Sequence, residues 1–381
     1  MLFSYSFQNK KRDLSDILVS VVKDSPRFIS NFRPVENATQ QKHEWLEDQI
    51  SGRSITAVAN TDGVLTVSEA DCAKVTAGTL LTFKDDSALF AVKSIDSNNI
   101  VIELVSANGS ELTTESIPAD GGIFQIVSTP VSEGSISGDE TGITGNINYN
   151  CTQIFRKDII ISGSVMAVNV FGNVDNLLNR QTGFALDELA RDLNRVALFG
   201  RRVEAAPGIK GEAGGLYYFG CGQNAPLIDA SAKSLDSFMI NDAAQAVLSE
   251  GGDPMQILCS PGQARVLSSE YKQNLQILRS DDRRGAYVAQ IINEINGRGM
   301  VIMADPDVPD TDAWVIDPAG FGLASLQGRS ICDEDATPKG FDGIKRMALG
   351  ELTFEFKNAG QRLCRIKNLQ PSSAAIAALK A

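Results

Sequence analysis

His43 is the only histidine in the chain, so any Ser-His-Asp or Cys-His relay would have to run through it. No G-x-S-x-G turn is available to present a nucleophile. His43 lies in His43-Glu44-Trp45-Leu46-Glu47-Asp48, whose alternation reads as a strand with Trp45 on one face and Glu44 and Leu46 on the other. A packed or hydrogen-bonded strand histidine is therefore expected, not a general base. Asp305, Asp307, Asp310 and Asp312 bring carboxylates close in sequence, as calcium ligands would be. Pro306 and Pro309 interrupt them, however, and no twelve-residue loop with a central Gly and a closing Glu follows, so a solvated turn is expected. Asp333-Glu334-Asp335 reads as another solvated acidic loop. The stretch Gly208–Gly222 lacks G-x-x-x-x-G-K-[ST], and Gly220-x-Gly222 runs into Ala225 with no strand-to-helix context, which leaves a mobile surface loop. Neither a cofactor nor a metal is expected.

The six cysteines, Cys72, Cys151, Cys221, Cys259, Cys332 and Cys364, form no C-x-x-C pair, so free and mostly buried thiols in a reducing compartment are expected. A hydrophobic content of 43% and a charged content of 22% are those of an ordinary globular protein. At 381 residues the chain exceeds what one core usually serves, which predicts two or three subdomains. The net charge of −12 opposes a protein that coats nucleic acid through a basic face. The pairs Arg201-Arg202 and Arg283-Arg284 are too small to reverse that and are read as partners for acidic patches on neighbouring subunits. No run of about 18 apolar residues is present, and Lys10, Lys11 and Arg12 follow the first apolar stretch instead of preceding it; neither a signal peptide nor a membrane anchor is expected.

The element that must organise the rest is a long helix over residues 173–203, capped by Asn173 or Asp175, about 30 residues and roughly 45 Å long at ~1.5 Å per residue. Leu178, Ala185, Leu186, Leu189, Leu193, Val196 and Ala197 form its apolar stripe. Arg180, Asp187, Arg191, Asp192, Asn194 and Arg195 occupy the other face, and Gly200 ends or kinks the rod. Before it, Leu14, Ile17, Leu18, Val21 and Val22 suggest a short helix that stops at Ser25-Pro26. Phe28, Ile29 and Phe32 then form an extended piece that buries aromatics in the core or against a neighbouring chain. From Ser54 to Val127 six short β patterns follow, at Ser54–Val58, Val64–Val67, Thr79–Phe83, Leu89–Ile95, Ile100–Val105 and Ile123–Val127. Turn chemistry at Asp96-Ser97-Asn98-Asn99 and Ala107-Asn108-Gly109-Ser110 separates some of them, and together they predict a small barrel or sandwich inserted in the chain. Gly134–Tyr149 is a polar return loop. Strands at Cys151–Phe155 and Lys157–Asn169 lead into the long helix. Beyond it, helices at Ser234–Ser249 and from Ser260-Pro261 to Leu278 mix with strands at Met255–Cys259, Val301–Ala304, Ala313–Ile316, Leu352–Phe356 and Arg362–Ile366. Without βαβ alternation the fold class is α+β.

The order of elements resembles the major capsid proteins of tailed bacteriophages with the HK97-type fold, in the branch similar to the phage SU10 major capsid protein. The resemblance is carried by Ser15-Asp16-Ile17, Ser25-Pro26-Arg27-Phe28, Glu44-Trp45, Asn150-Cys151-Thr152-Gln153-Ile154-Phe155 and Ile161-Ser162-Gly163-Ser164. Glu188-Leu189-Ala190-Arg191-Asp192-Leu193, Ile257-Leu258-Cys259-Ser260-Pro261, Trp314-Val315-Ile316-Asp317 and Gly350-Glu351-Leu352-Thr353-Phe354-Glu355-Phe356 continue it. It implies an N-terminal arm at 1–33, an E-loop at 34–155 with the inserted β domain at about 54–130, a peripheral domain at 156–214 and 341–381 holding the spine helix 173–203, and an axial domain at 215–340. It also implies a non-catalytic subunit that assembles as pentamers and hexamers into an icosahedral head around double-stranded DNA, built in the bacterial cytoplasm. The partners implied are further copies of the chain, a portal, a decoration protein and, since no N-terminal scaffolding segment is found, a separate scaffold protein unless the chain is a mature form. Phe28, Phe32, Trp45, Arg201 and Arg202 are the expected intersubunit contacts. The competing readings are an encapsulin-like compartment shell holding protein cargo and a surface protein whose β domain binds carbohydrate.

Overall fold

A computed structural model describes residues 26–48, 52–83, 88–108, 113–114, 117, 122–131, 133, 145–167, 177–222, 225–270 and 289–378. The helix read around Leu14–Val22, the caps Asn173 and Asp175, most of the return loop 134–149, the pair Arg283-Arg284 and the continuation of a helix to Leu278 lie outside the described residues. The chain divides into two compact units, one of residues 48–146 and one of residues 1–47 with 147–381.

In the smaller unit, strands Ser54–Thr61, Val64–Val67, Asn99–Ser106, Leu89–Asp96, Leu80–Phe83 and Gly122–Ser128 follow one another around a closed six-stranded barrel. Alternation decides which side chains enter it: Ile55, Leu65, Leu81, Phe90, Ile100 and Phe124 are fully buried, while Thr56, Val58 and Gln125 point out. Asp62 and Gly63 both have positive φ, which suits the two-residue turn between the first two strands. A register shift between Ala57 and Ala59 places Asn60 inside. Its amide donates to the Ile117 carbonyl at 3.1 Å and accepts from the Gly63 N–H at 3.2 Å, so its burial is compensated. Ser97 and Asn108 adopt positive φ in the two turns their sequences announce. Residues 48–146 hold 14 acids against 4 bases, a net −10 within the chain's −12.

The larger unit contains two main sheets. One orders Arg33–Pro34, Phe321–Ser325, Gly343–Phe356 and Gln153–Ser162, with Cys332–Asp335 also paired to Gly343–Phe356. The other, of mixed direction, orders Leu227–Asp229, Leu363–Lys367, Ala313–Ile316, Gln256–Cys259, Gly299–Ala304 and Gln290–Ile292. The two strands expected at Cys151–Phe155 and Lys157–Asn169 are instead a single strand ending at Ser162, followed by the short helix Gly163–Ala167. Its ladder partner is far longer than Leu352–Phe356, because it pairs from Gly343 onward. Leu363–Lys367 joins the mixed sheet and Phe321–Ser325 the other, so the strands of the expected 341–381 and 215–340 blocks are divided between sheets differently from those boundaries. Helices Ser237–Ser249 and Pro261–Glu270 start where their caps require: Asp236 accepts from the Met239 N–H at 2.8 Å and Ser260 from the Gln263 N–H at 3.1 Å.

The long helix is described over Leu177–Phe199, 23 residues, which is roughly 35 Å. Gly200 closes it, as expected, with its N–H on the Val196 carbonyl at 2.8 Å. The apolar stripe differs from the expected one: Leu186 is exposed, Val196 is only partly buried, and Asn194, read as polar-face, is completely buried. Leu189, Leu193, Ala197 and Leu198 pack with Phe28, Phe219, Trp314, Phe354 and Phe356 in the largest core. The expected mobile loop at 208–222 is also corrected, since Leu216–Gly222 is a helix with Leu216, Phe219 and Gly220 buried. Gly220 is required by close approach, because a Cβ there would lie 2.7 Å from the Trp314 ring.

Candidate assembly surfaces

The five residues expected at subunit contacts fall into two groups. Phe28, Phe32 and Trp45 are buried within their own chain, at 0%, 8% and 7% exposure. Phe28 meets Phe32 edge-on at 5.3 Å, and Phe32 stacks on Phe321 at 5.3 Å and meets Phe356 at 5.5 Å. Trp45 lies 6.0 Å from Phe219, and its Nε1 donates to Glu47 at 2.7 Å. These aromatics have little surface left for a neighbour, and the reason is the in-chain cluster around Phe321 and Phe356 that close spacing alone did not reveal. Arg201 and Arg202 do reach the surface region. Arg201, with a side chain 74% exposed, binds Glu212 at 2.7 Å and holds that carboxyl below its usual range, chiefly through the hydrogen bond. Arg202 lies over the Tyr149 ring at 3.9 Å and donates to the Tyr149 carbonyl at 3.0 Å.

Arg201 borders an open groove of about 650 Å³ between the end of the long helix, the 203–212 hairpin and the strand at Ile154, and Arg202 is not part of its lining. Phe199, Ile154 and Ile209 are each about half exposed there. The hairpin is closed by bridges between Val203 and Glu212 and between Ala206 and Ile209. Hydropathy could not have revealed the groove, since its walls come from residues 41, 152–154, 196, 199–201, 205, 209–212 and 351.

The Asp305–Asp312 stretch is structural. Asp305 is fully buried and accepts the backbone N–H groups of Phe28 at 2.8 Å and Arg27 at 3.1 Å. Asn194 donates to Asp307 at 2.8 Å and to Asp305 at 3.1 Å, while its Oδ1 accepts the Ile29 N–H at 3.0 Å. Asp310 accepts from Ser260 and from the Ser372 N–H, both at 2.6 Å. Asp312 accepts from Arg365 at 2.6 Å and from the Tyr217 hydroxyl at 3.0 Å. The expected solvated turn was wrong for Asp305 and Asp312: two prolines fix the loop against the core, where Val308 is buried.

His43 sits beside a buried carboxylate. Its Nε2 lies 2.6 Å from Glu355, a carboxyl that burial pushes up but that bonds from His43 and Lys357 hold below its ordinary range. Burial raises the thiols of Cys259 and Cys364 to about 12, so neither ionises near neutrality.

The sequence matches the family described as SU10 major capsid protein over residues 2–370. The chain belongs to the SU10 major capsid protein family. No individual curated protein matches it. Among solved structures, the capsid asymmetric unit of cyanophage A-1(L) is 12% identical, with a TM-score of 0.56 over 97% of this chain and 100% of that one. The capsid of a native GTA particle is 9% identical, with a TM-score of 0.54 over 96% and 97%. A chain of Mycobacterium phage Adephagia is 9% identical, with a TM-score of 0.52 over 96% and 98%. The α+β fold is therefore the HK97-type capsid fold, and the protein is a major capsid protein, a structural shell subunit of a tailed phage. Its place is the virion capsid. Among the described residues no helix is long and apolar enough to cross a membrane.

Proposed function

We propose that copies of this subunit assemble, in the bacterial cytoplasm, as pentamers and hexamers of an icosahedral head that encloses double-stranded DNA without reading its sequence. The observation that carries this is the family match over residues 2–370. Arm, E-loop, peripheral and axial parts are proposed as the resemblance implies, except that Phe321–Ser325 and Leu363–Lys367 join sheets across the axial and peripheral bounds; the barrel is proposed as an insertion in the E-loop, which its chain limits of 48–146 support. The net −10 of that unit supports an outward position, because a polyanion lining the DNA-facing surface would repel its contents. A separate scaffold, a portal and a decoration protein complete the proposed particle. The groove bordered by Phe199, Ile209 and Arg201 is the proposed contact surface, in place of the buried aromatics.

Sedimentation velocity and negative-stain electron microscopy of the protein expressed with its neighbouring genes test this reading. Closed shells, or rings of five and six, are expected. Persistent monomers under those conditions overturn it, and shells filled only with protein cargo overturn the genome-enclosing part.

A further inference from the structure

Two neighbouring strands of the barrel wall, Ser54–Thr61 and Gly122–Ser128, contain no charged residue, although residues 48–146 carry a net −10. Their register puts Thr56 opposite Ile123 and Ser54 opposite Gln125. Alternation turns Ile55, Ala57 and Phe124 into the core and leaves Thr56, Val58, Ile123, Gln125 and Val127 outside. Val58 is 69% exposed, Ile123 40% and Val127 45%, so the two strands share an uncharged apolar strip. At its border Asp71 accepts the Thr56 N–H at 3.2 Å, and its charge is met by Lys74 at 2.5 Å. Leu104 and Val105, on another part of the wall, stand beside Glu103 instead.

Composition narrows what such a strip can bind. Residues 48–146 contain no Trp and no Tyr, and Phe83, Phe90 and Phe124 pack in or against the barrel core, so the strip offers no aromatic platform for a sugar. A basic partner would be drawn to the acids and not to an uncharged face. A closed barrel has no free strand edge, which leaves packing face on face.

We infer that the outer face of Ser54–Thr61 and Gly122–Ser128 is a self-association surface, on which the same face of a second copy of this chain packs about a two-fold axis. Two units of net −10 repel, and the uncharged strip is where they approach at least cost. Like charge thereby selects the orientation, while Val58, Ile123 and Val127 supply the attraction. An isologous contact needs no second complementary surface, because each strip meets itself. The apolar area is small, so the pairing is weak between free subunits and firm where a shell raises the effective concentration of barrels. The inference goes beyond the shell reading and rests on it only for that increase.

Gln125→Cys places a thiol on the strip, where a two-fold contact brings it to its own copy. Glu103→Cys places one on a strand separated from Ser54–Thr61 by Val64–Val67. A short bis-maleimide is applied to the full chain of each, as shells and as concentrated free subunit, and the unaltered protein reports what the exposed Cys221 contributes. Gln125→Cys should give about fivefold or more dimer than either control. Adding Val58→Asp and Val127→Asp should remove that excess while calorimetry still finds the barrel transition, since both side chains are exposed. No excess dimer in either state, equal dimer from Glu103→Cys, an excess that survives the two aspartates, or a cross-link to a different protein in its place would each overturn the inference. If the aspartates abolish the barrel transition, the comparison of Gln125→Cys with Glu103→Cys still decides. If electron microscopy finds no shells of the unaltered protein, the shell reading fails, and cross-linking of the concentrated free subunit decides whether the face pairs.

Discussion

In the barrel every core residue comes from one stretch between Ile55 and Phe124, whereas the main unit draws Phe28, Phe219, Trp314 and Phe356 into one cluster from near both ends of the chain. Both cores exclude water completely at their centres. The barrel's strands pair only with one another, from short hairpins such as Leu89–Asp96 with Asn99–Ser106 to the closure of Ser54–Thr61 on Gly122–Ser128, so its interior draws on nothing beyond its own limits. The main unit is instead joined over long sequence separations, its longest ladder running between Gln153–Ser162 and Gly343–Leu352. The difference predicts separate cooperative transitions, and it can be broken or sharpened one substitution at a time.

The largest effect is expected from Trp314→Ala. The ring is fully buried against Tyr217 at 5.1 Å, and its loss should cost about 3–5 kcal/mol and abolish shells, while calorimetry still records the barrel transition. A joint loss of both transitions would end the idea of two units. Phe124→Ala, which removes the ring meeting Phe83 at 5.1 Å and Phe90 at 6.4 Å, should lower only the barrel transition, by about 3 kcal/mol. Gly220→Ala should destabilise the main unit by roughly 1–3 kcal/mol, because the new Cβ meets a rigid indole and not a flexible side-chain tip.

A smaller effect concerns acid. The Glu355 carboxyl is depressed in the folded state, so the stability it contributes is present above its unfolded value of about 4.3 and is lost as pH falls through the lower folded value. Glu355→Gln should flatten the pH dependence of main-unit melting below about pH 4.5 and leave the barrel's unchanged, as measured by melting at stepped pH. Smallest of all, Arg201→Ala should leave both melting transitions in place, since its pair with Glu212 is exposed. Its effect should appear in assembly yield if the groove it borders is a contact.

The same difference explains what the sequence made legible. All six barrel strands were readable to within a few residues, because alternation over Ser54–Val127 encodes a half-buried sheet directly and the turns carry Asp, Asn, Ser and Gly where positive φ is needed. The helix end at Gly200, the strand face of Trp45 and the cap at Ser260 were local signals of the same kind, whereas the Asp236 cap, which starts its helix three residues after the expected Ser234, was not read. What failed was long-range. Periodicity placed Asn194 on the polar face because polar residues normally belong there, and only the approach of Arg27–Ile29 and Asp305 makes a buried amide favourable at that position. The fate of Phe28 and Phe32 depended on Phe321, Phe354 and Phe356, which no window of sequence contains. The aromatic spacing announced burial but not its partner.

The ladder between residues 153–162 and 343–352 also has a consequence in time. On a ribosome the barrel is complete once its last strand, Gly122–Ser128, has emerged, but the Gln153–Ser162 strand must wait for nearly two hundred further residues before its partner exists. Long-range pairings of this kind are slow to close and leave a strand edge open meanwhile. Translation itself thereby acts as a timer for this sheet: a nascent copy cannot complete it until the strand Gly343–Phe356 has left the exit tunnel.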